Sequence, residues 1–186
     1  MSVSLRGRDR VIYIGPLVTM FDRYSIAPLL IPISVDLHRP LAQVAVVASL
    51  YFFLYGVMQV VYGLLSDRVG RIRVMRYTLA GMAVADLLSS LAPSLEWLIA
   101  ARALTGALAC AVMPAALVYM GDTFEFKFRQ AAIADLLAAV AVGISLATLG
   151  AGLIAHAAGW RAVFLVPAAA GLAVAIALGL APFGQR

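Results

Sequence analysis

Long apolar runs separated by short polar turns dominate the pattern along this chain. A helix that crosses a bilayer needs about 20 largely apolar residues. Six stretches meet this requirement, at residues 11–35, 41–65, 73–92, 97–120, 131–155 and 162–181. They lack the ten-residue alternation of barrel strands, and backbone groups in lipid need partners within their own segment. The pattern therefore predicts an all-α membrane protein with six transmembrane helices.

The composition agrees with this interpretation and leaves little chain for a soluble domain. Hydrophobic residues make up 64% of the chain and charged residues only 12%, with a mean hydropathy of +1.00, whereas soluble domains contain about 25% charged residues. We expect a bundle over residues 11–181, flanked by tails at 1–10 and 182–186.

The first apolar stretch resembles a signal peptide only superficially. It contains Asp22 and Arg23 and no convincing small-residue cleavage site, so we interpret it as a retained helix. The single cysteine, Cys110, lies in another apolar run. It excludes a disulfide framework within the chain and is predicted to be a small buried core residue.

The distribution of basic residues predicts the orientation, because basic loops stay on the cytoplasmic side. With both termini cytoplasmic, two basic residues lie outside, Arg39 and Arg161, and two lie within spans, Arg23 and Arg102. The other ten lie inside: Arg6, Arg8, Arg10, Arg68, Arg71, Arg73, Arg76, Lys127, Arg129 and Arg186. This bias accounts for the net charge of +5, so no nucleic-acid partner is expected.

Catalytic and cofactor-binding patterns are not found. His38 and His156 are isolated residues near outer helix ends without metal-ligand spacing, and no serine has a plausible general base. A Walker A loop is absent as well. We therefore expect no enzyme activity, no metal and no cofactor, and any transport would draw on an ion gradient.

An internal echo links two parts of the chain. The segment from Gly63 to Gly70, Gly-Leu-Leu-Ser-Asp-Arg-Val-Gly, aligns with that from Gly152 to Gly159, Gly-Leu-Ile-Ala-His-Ala-Ala-Gly, at an offset of 89 residues. This offset carries the second span onto the fifth. Because three spans separate the copies, they would be inverted in the membrane, as in many transporters. Chance similarity is the alternative.

The loop between the second and third spans reads Gly63-Leu-Leu-Ser-Asp67-Arg68-Val-Gly70-Arg71. It resembles the loop signature G-x-L-x-D-R-x-G-R of the Major Facilitator Superfamily at every specified position. A bland basic loop would need the arginines but not the fixed glycines and aspartate.

Further stretches are similar to this superfamily. Arg102-Ala-Leu-Thr-Gly106 resembles its R-x-x-x-G motif, and Asp122 lies where relatives carry an acidic residue. The first span, with Phe21-Asp-Arg-Tyr24 followed by two prolines, resembles that of proton-linked drug and metabolite exporters. Members of the family are built from inverted three-helix repeats, which would correspond here to residues 11–92 and 97–181.

Two departures from the family pattern change the expectation. The antiporter signature G-x-x-x-G-P-x-x-G-G of the fifth helix has Ala147-Thr148 in place of Gly-Pro, which weakens the prediction of drug antiport. Family members also have about twelve helices in two halves, whereas this chain provides six.

Charged residues inside a membrane usually face a partner or a water-filled pathway. Asp22, near the middle of the first span, is a candidate proton carrier, with a plain ion pair as the alternative. Arg23 lies about 100° away around the helix, so it points elsewhere. Arg102 is a candidate for binding an anionic group or for holding Asp22 ionised, or else ties two helices together.

Other polar residues are weaker candidates for the pathway. Asp86 and Asp135 lie in spans, but the resemblance gives neither a role. Tyr55, Gln59 and Tyr62 share one face of the second span, where packing is the alternative, and Gln59 is the best of them because an unpaired amide in lipid is costly.

For the loop, the resemblance implies a cytoplasmic gate. Asp67 with Arg68 or Arg71 would pair with Asp122 and with an opposite half when the cytoplasmic side is closed. Gly63 and Gly70 would allow close packing and a tight turn.

Together these patterns predict the N-terminal half of a secondary transporter that moves a small organic solute by proton-coupled alternating access, with efflux favoured. Its partners would be the solute, protons, the lipid bilayer and a second six-helix half from the same gene, a separate chain or a homodimer. The alternative is a transport-inactive truncated or accessory six-helix membrane protein. Arginine outnumbers lysine thirteen to one, which is typical of GC-rich bacteria and favours an inner membrane.

Overall fold

A computed structural model describes residues 7–180, with side chains from residue 11 onward. The structure does not describe most of the two predicted tails, nor the side chains of four terminal arginines: Arg6, Arg8, Arg10 and Arg186. The described chain is helical throughout, joined by short turns. The helices are α1 Gly7–Asp36, α2 Leu41–Val69, α3 Arg71–Ser90, α4 Leu95–Ala109, α5 Val112–Thr123, α6 Phe126–Ala158 and α7 Trp160–Leu180.

The predicted helix at 97–120 is divided into α4 and α5. Pro114 has no N–H, and its ring clashes with the carbonyl four residues earlier, at Cys110. Cys110 and Ala111 form a turn at that point, and the Ala111 N–H bonds to the Leu108 carbonyl, three residues back. Leu95–Thr123 nevertheless continues as one unit of membrane length. Cys110 is buried there, as predicted.

Four described units are long and apolar enough to cross a membrane: α2, α4 with α5, α6 and α7. The remaining two helices, α1 and α3, have 30 and 20 residues, which is sufficient length. They are less apolar because α1 carries Asp22 and Arg23, and α3 carries Asp86 and three arginines. The all-helical membrane fold is therefore confirmed, although the ends of α6 lie several residues beyond the predicted 131–155.

The helices pair mainly as α1 with α6, α2 with α4 and α3 with α7. Two glycines allow the first two pairs to approach closely. A Cβ atom on Gly143 of α6 would overlap the Leu17 carbonyl of α1, and one on Gly106 of α4 would overlap the Tyr51 carbonyl of α2. Small residues at these points bring helix backbones together.

The ends of α2 and α6 share an unusual conformation. Gly70 and Gly159, 89 residues apart, have φ angles of +100° and +83°, which residues with a Cβ rarely adopt. Each donates its N–H to the carbonyl four residues earlier, on Ser66 and Ala155, at 3.0 Å. The two similar segments therefore also end in the same backbone conformation.

The core consists of two apolar layers with a polar layer between them. One apolar layer contains Ile12, Leu79 and Met120, and the other contains Leu29, Leu98 and Phe164. Along α1, α3 and α4, the residues between these layers are Asp22, Asp86 and Arg102, each 0% exposed. The fold thus places three ionisable side chains at the centre of the bundle.

Candidate functional site

An ionic cluster of Asp22, Asp86 and Arg102 occupies the polar layer. The Arg102 Nη1 atom donates to Asp22 Oδ1 and to Asp86 Oδ1, both at 2.7 Å. Since this nitrogen carries two hydrogens, it can serve both carboxylates at once. The cluster joins α1, α3 and α4 through short charge-assisted contacts.

Neighbouring side chains fix the position of the cluster. The Tyr51 hydroxyl donates to Asp22 Oδ2 at 2.9 Å, and the Thr105 hydroxyl lies 3.4 Å from Asp86 Oδ1. The rings of Tyr51 and Phe164 flank the guanidinium, each with its centroid 4.9 Å from Arg102 Cζ. These contacts leave Asp86 Oδ2 without a hydrogen-bond partner in the described chain.

The cluster contains one more acid than base. With both carboxyl groups ionised it would carry a net charge of −1 in a region that excludes water, and uncompensated buried charge is costly. One bound proton would make the cluster neutral.

Local sequence explains why these groups meet. Arg102 and Gly106 are one helical turn apart and lie on the same face of α4. Because Gly106 has no side chain, α2 comes close enough at Tyr51 for its hydroxyl to reach Asp22. The R-x-x-x-G pattern thus combines a charged group with the helix contact that surrounds it.

The structure brings together two of the residues predicted for the pathway, Asp22 and Arg102, whose roles remain predictions. It also includes Asp86, which the sequence offered only as a weaker candidate, and Tyr51, which the sequence did not single out. The signal for Asp86 was present, since an aspartate inside an apolar span is rare without a partner. Tyr51 could not be distinguished by sequence from other aromatic residues of the second span.

Arg23 points away from this cluster, as expected from its angular offset. Its Cζ atom lies 4.6 Å from the ring centroid of Tyr55, 5.1 Å from that of Phe52 and 5.6 Å from that of Tyr24. Tyr55 also stacks on Tyr51, with ring centroids 6.2 Å apart. Arg23 is therefore held by a group of aromatic rings, which we call the arginine cage: Arg23, Tyr24, Phe52 and Tyr55.

The other polar candidates lie apart from both groups. Gln59 is exposed on α2. Tyr62 is half-buried and borders a shallow groove between α2 and α5. Asp135 is exposed on α6. None of these three belongs to the buried ionic cluster.

The basic loop carries a network centred on Arg71. Arg71 Nη2 lies 3.4 Å from Asp67 Oδ1, one turn earlier, and Arg71 Nε lies 3.0 Å from Asp122 Oδ2 at the end of α5. The second contact is an ion pair by distance, although the N–H is not directed at the oxygen. Arg68 is exposed, so Arg71 is the residue that links the two carboxylates.

The two glycines of the loop differ in their surroundings. Gly70 forms the turn between α2 and α3 with its positive φ angle. A Cβ atom on Gly63 would meet nothing within 4 Å in the described chain, so the expected close packing at Gly63 does not occur within this bundle. Gly63 and Asp67 instead line the groove between α2 and α5.

A second polar cluster lies at the opposite end of the bundle. Arg161 Nη1 donates to Asp36 Oδ2 at 2.7 Å, Trp160 Nε1 donates to the same oxygen at 3.0 Å, and Arg161 Nη2 donates to the Ala92 carbonyl. Hydrogen bonds from Arg161 and then Trp160 lower the pKa of Asp36. This cluster ties α1 and α7 to the turn after α3.

Fold and site together define a polytopic helical membrane protein with an ionic cluster in its core. The sequence profile of the Major Facilitator Superfamily matches residues 12–184. The chain belongs to this superfamily, which confirms the resemblance seen in its motifs. The superfamily consists of transporters rather than enzymes, in agreement with the expectation of no catalytic centre.

The chain is similar to several bacterial members. It is 33% identical over 158 residues to the multidrug efflux pump LfrA of Mycolicibacterium smegmatis, covering 84% of this chain and 30% of that protein. It is 33% identical over 155 residues to a probable actinorhodin transporter of Streptomyces coelicolor, covering 81% of this chain and 27% of that protein. The chain thus spans about a third of the length of these relatives.

Solved structures show the same fold. A bacterial homologue of the human lysosomal transporter Spinster, inward-facing and occupied, superposes with a TM-score of 0.85 at 21% identity, covering 94% of this chain and 43% of that one. The POT family transporter PepTSo gives a TM-score of 0.83 at 16% identity, covering 96% and 38%. These matches establish the fold alone.

Proposed function

We propose that this chain is the N-terminal six-helix half of a secondary active transporter. It moves a small organic solute by proton-coupled alternating access, with efflux favoured, and works with a second six-helix half. Among its relatives, one is named an efflux pump and another a resistance and export protein, which supports the direction. The second half comes from the same gene, a separate chain or a second copy.

One observation carries the proton coupling: two buried carboxylates share a single Arg102 nitrogen. Protonation changes the net charge of the cluster between −1 and zero. A charged carboxylate is favoured where water reaches it and disfavoured in a dry core. Protonation of the cluster would therefore change the relative free energies of two helix arrangements, one that admits water to the cluster and one that does not. The cluster would bind a proton in one state of the cycle and release it in the other.

The helix pairs support two inverted repeats, at residues 11–92 and 97–181. The first three membrane-length units are α1, α2 and α3, and the last three are α4 with α5, α6 and α7. Exchanging the two sets in order converts the α1–α6 pair into the α4–α2 pair and leaves the α3–α7 pair unchanged. These are the most extensive pairs of the bundle. The matching turns at Gly70 and Gly159 follow the same exchange.

The Arg71 network supports a cytoplasmic gate. Asp67 and Gly63 line a groove beside α5, and this groove would receive a helix end of the opposite half. In that closed state, Asp67, Arg68, Arg71 and Asp122 would form the latch. Positive-inside retention alone explains the arginines but not the paired aspartates.

The proposed location is the inner membrane of a bacterium, with both termini cytoplasmic. The described basic residues of the Arg71 loop and of the α5–α6 turn then lie inside, while Arg39 and Arg161 lie outside. The lipid bilayer covers the apolar side chains exposed on the outer faces of the helices, and the solute enters between the two halves.

The test is solute and proton flux in sealed proteoliposomes, with and without a supplied second half. Fluorescent aromatic solutes of anionic, neutral and cationic type serve as probes, and an internal pH dye reports protons. Asp22→Asn is expected to leave solute flux that no longer responds to the pH gradient. Asp135→Asn, which alters an exposed carboxylate outside the cluster, is the matched control. Proton-linked flux that persists in Asp22→Asn would overturn the coupling.

The alternative, a transport-inactive accessory or truncated protein, makes a different prediction. The chain would then give no solute flux with any second half, and cross-linking in native membranes would capture it on an unrelated assembly or as a monomer. A Gly63→Cys or Asp67→Cys variant that cross-links to a six-helix partner would favour the transporter.

A further inference from the structure

Arg23 differs from the other basic residue at the centre of the bundle in having no acidic partner among the described side chains. Arg102 contacts two carboxylates, whereas the described ion pairs include none with Arg23. Its Nε atom is buried and without a hydrogen-bond partner in the described chain. A charge at mid-membrane depth costs several kcal/mol unless it is compensated, so this guanidinium is poised for an anion.

The aromatic rings of the arginine cage do not meet this need. A cation–π contact uses the face of a ring and the charge of the cation, but the five N–H donors of a guanidinium lie in its own plane. These donors match the two oxygens of a carboxylate or another planar acid group. The cage therefore holds the cation in place. The Tyr55 hydroxyl accepts from Arg23, whereas the Nε donor has no partner in the described chain and stays available to a ligand.

The same cage offers a surface for a flat apolar group. Tyr24 is 39% exposed and Phe52 is 41% exposed, although each ring lies within 6 Å of the Arg23 charge. Partly exposed rings next to a cation suit stacking of a second aromatic system. An anion-binding group and an aromatic platform thus lie side by side on the α1–α2 face, away from the ionic cluster.

We propose that the arginine cage is a substrate subsite that takes a planar aromatic compound bearing an ionised acid group. The acid group binds the Arg23 donors and the aromatic body stacks on Tyr24 and Phe52. A cationic compound of the same shape is repelled by Arg23. This inference rests on the proposed function, because it names the solute class of that transporter.

The test measures binding rather than transport. The chain of 186 residues is placed in phosphatidylcholine nanodiscs, and equilibrium dialysis measures binding of 2-naphthoate, 2-naphthamide and 2-naphthylmethylammonium, with empty nanodiscs as the background. Naphthoate is expected to bind at least about tenfold more tightly than the other two, since a charge-assisted bidentate pair is worth more than about 1.4 kcal/mol. Arg23→Gln is expected to remove this preference. Arg39→Gln, which removes an exposed arginine elsewhere, is expected to retain it.

A second pair of variants separates binding from folding. Phe52→Leu removes a ring of the cage. Phe53→Leu removes the neighbouring ring, which is 64% exposed and is not one of the three described rings in cation–π contact with Arg23. Phe52→Leu is expected to weaken naphthoate binding several-fold, and Phe53→Leu to leave it unchanged. Equal affinity for the three probes, no binding of any, or equal effects of the two substitutions would overturn the subsite.

The two proposals fail in different ways. Naphthoate preference that depends on Arg23, together with absence of solute flux in proteoliposomes, would overturn the transporter and leave the subsite. Proton-linked flux without any such preference would overturn the subsite and leave the transporter.

Discussion

Arg102 and Asp22, which are 80 positions apart in the chain, are joined by a 2.7 Å hydrogen bond in a region where both side chains are 0% exposed. Asp86 shares the same Arg102 nitrogen. The single guanidinium therefore holds three helices together and neutralises one of two acids. We expect these contacts to contribute to the stability of the bundle.

Loss of Arg102 is expected to be severely destabilising. Arg102→Met leaves two buried carboxylates without a counter-charge, which we expect to lower the free energy of unfolding by about 3–5 kcal/mol. The measurement is unfolding by sodium dodecyl sulfate in mixed micelles, followed by far-UV circular dichroism. In a background that carries Asp22→Asn and Asp86→Asn, the same substitution is expected to cost much less, because no acidic partner remains. Equal costs in the two backgrounds would contradict the cluster.

The two aspartates are expected to differ in their contribution. Asp86→Asn removes one negative charge from a cluster with excess acid, and the amide oxygen still accepts from Arg102, so the cost is about 1 kcal/mol or less. Asp22→Asn is expected to cost about 1–3 kcal/mol more, because the Tyr51 hydroxyl loses a charged acceptor. The same unfolding assay measures both. In a Tyr51→Phe background the difference is expected to shrink, and an unchanged difference would argue against the role of Tyr51.

The close approach at Gly106 predicts a steric effect. Gly106→Ala places a methyl group against the Tyr51 carbonyl, and we expect a loss of about 1–3 kcal/mol as α2 and α4 separate. Gly56→Ala is the matched control, since a Cβ atom there meets nothing within 4 Å. It is expected to be neutral or to stabilise α2 by about 0.5–1 kcal/mol. Similar losses for both glycines would indicate a general intolerance rather than this contact.

The outer cluster predicts a dependence of stability on pH. The pKa of Asp36 is lowered in the folded chain by hydrogen bonds from Arg161 and Trp160. The carboxylate therefore contributes stability above its unfolded pKa, near about 4, and this contribution is lost as pH falls through the lower folded pKa. The side chains of Arg161 and Asp36 are 40% and 46% exposed, so the ion pair is worth at most about 1 kcal/mol.

Unfolding curves of the native chain and Arg161→Gln, measured from pH 7 to pH 2, check this prediction. Arg161→Gln is expected to be less stable at pH 7, with the gap narrowing in acid once Asp36 is protonated. A part of the loss persists at all pH values because Arg161 also donates to the Ala92 carbonyl. A gap that widens in acid would contradict the assignment.

Much of the fold is predictable from residues near one another in the chain. Apolar length fixes which segments are helical, because lipid offers no partners to the backbone. The sequence contains Pro114, but it does not predict that the helix breaks there into α4 and α5. The break also depends on how the neighbouring helices pack around the turn. The positive φ angles at Gly70 and Gly159 occur at the matching final glycines of the two similar segments.

The sequence by itself determined the membrane class, the family and the charged residues at membrane depth, since these follow from local hydropathy and short motifs. Only the tertiary structure decided the partners. Asp22, Asp86 and Arg102 come from three helices, and their pairing depends on how those helices rotate and approach one another. Gly106 contributes by letting α2 approach α4, which brings Tyr51 to Asp22. The same rotation turned Arg23 toward aromatic rings, with no acidic partner in the described part of the chain. Electrostatic interactions act over a few ångströms in space, and no local pattern encodes those distances.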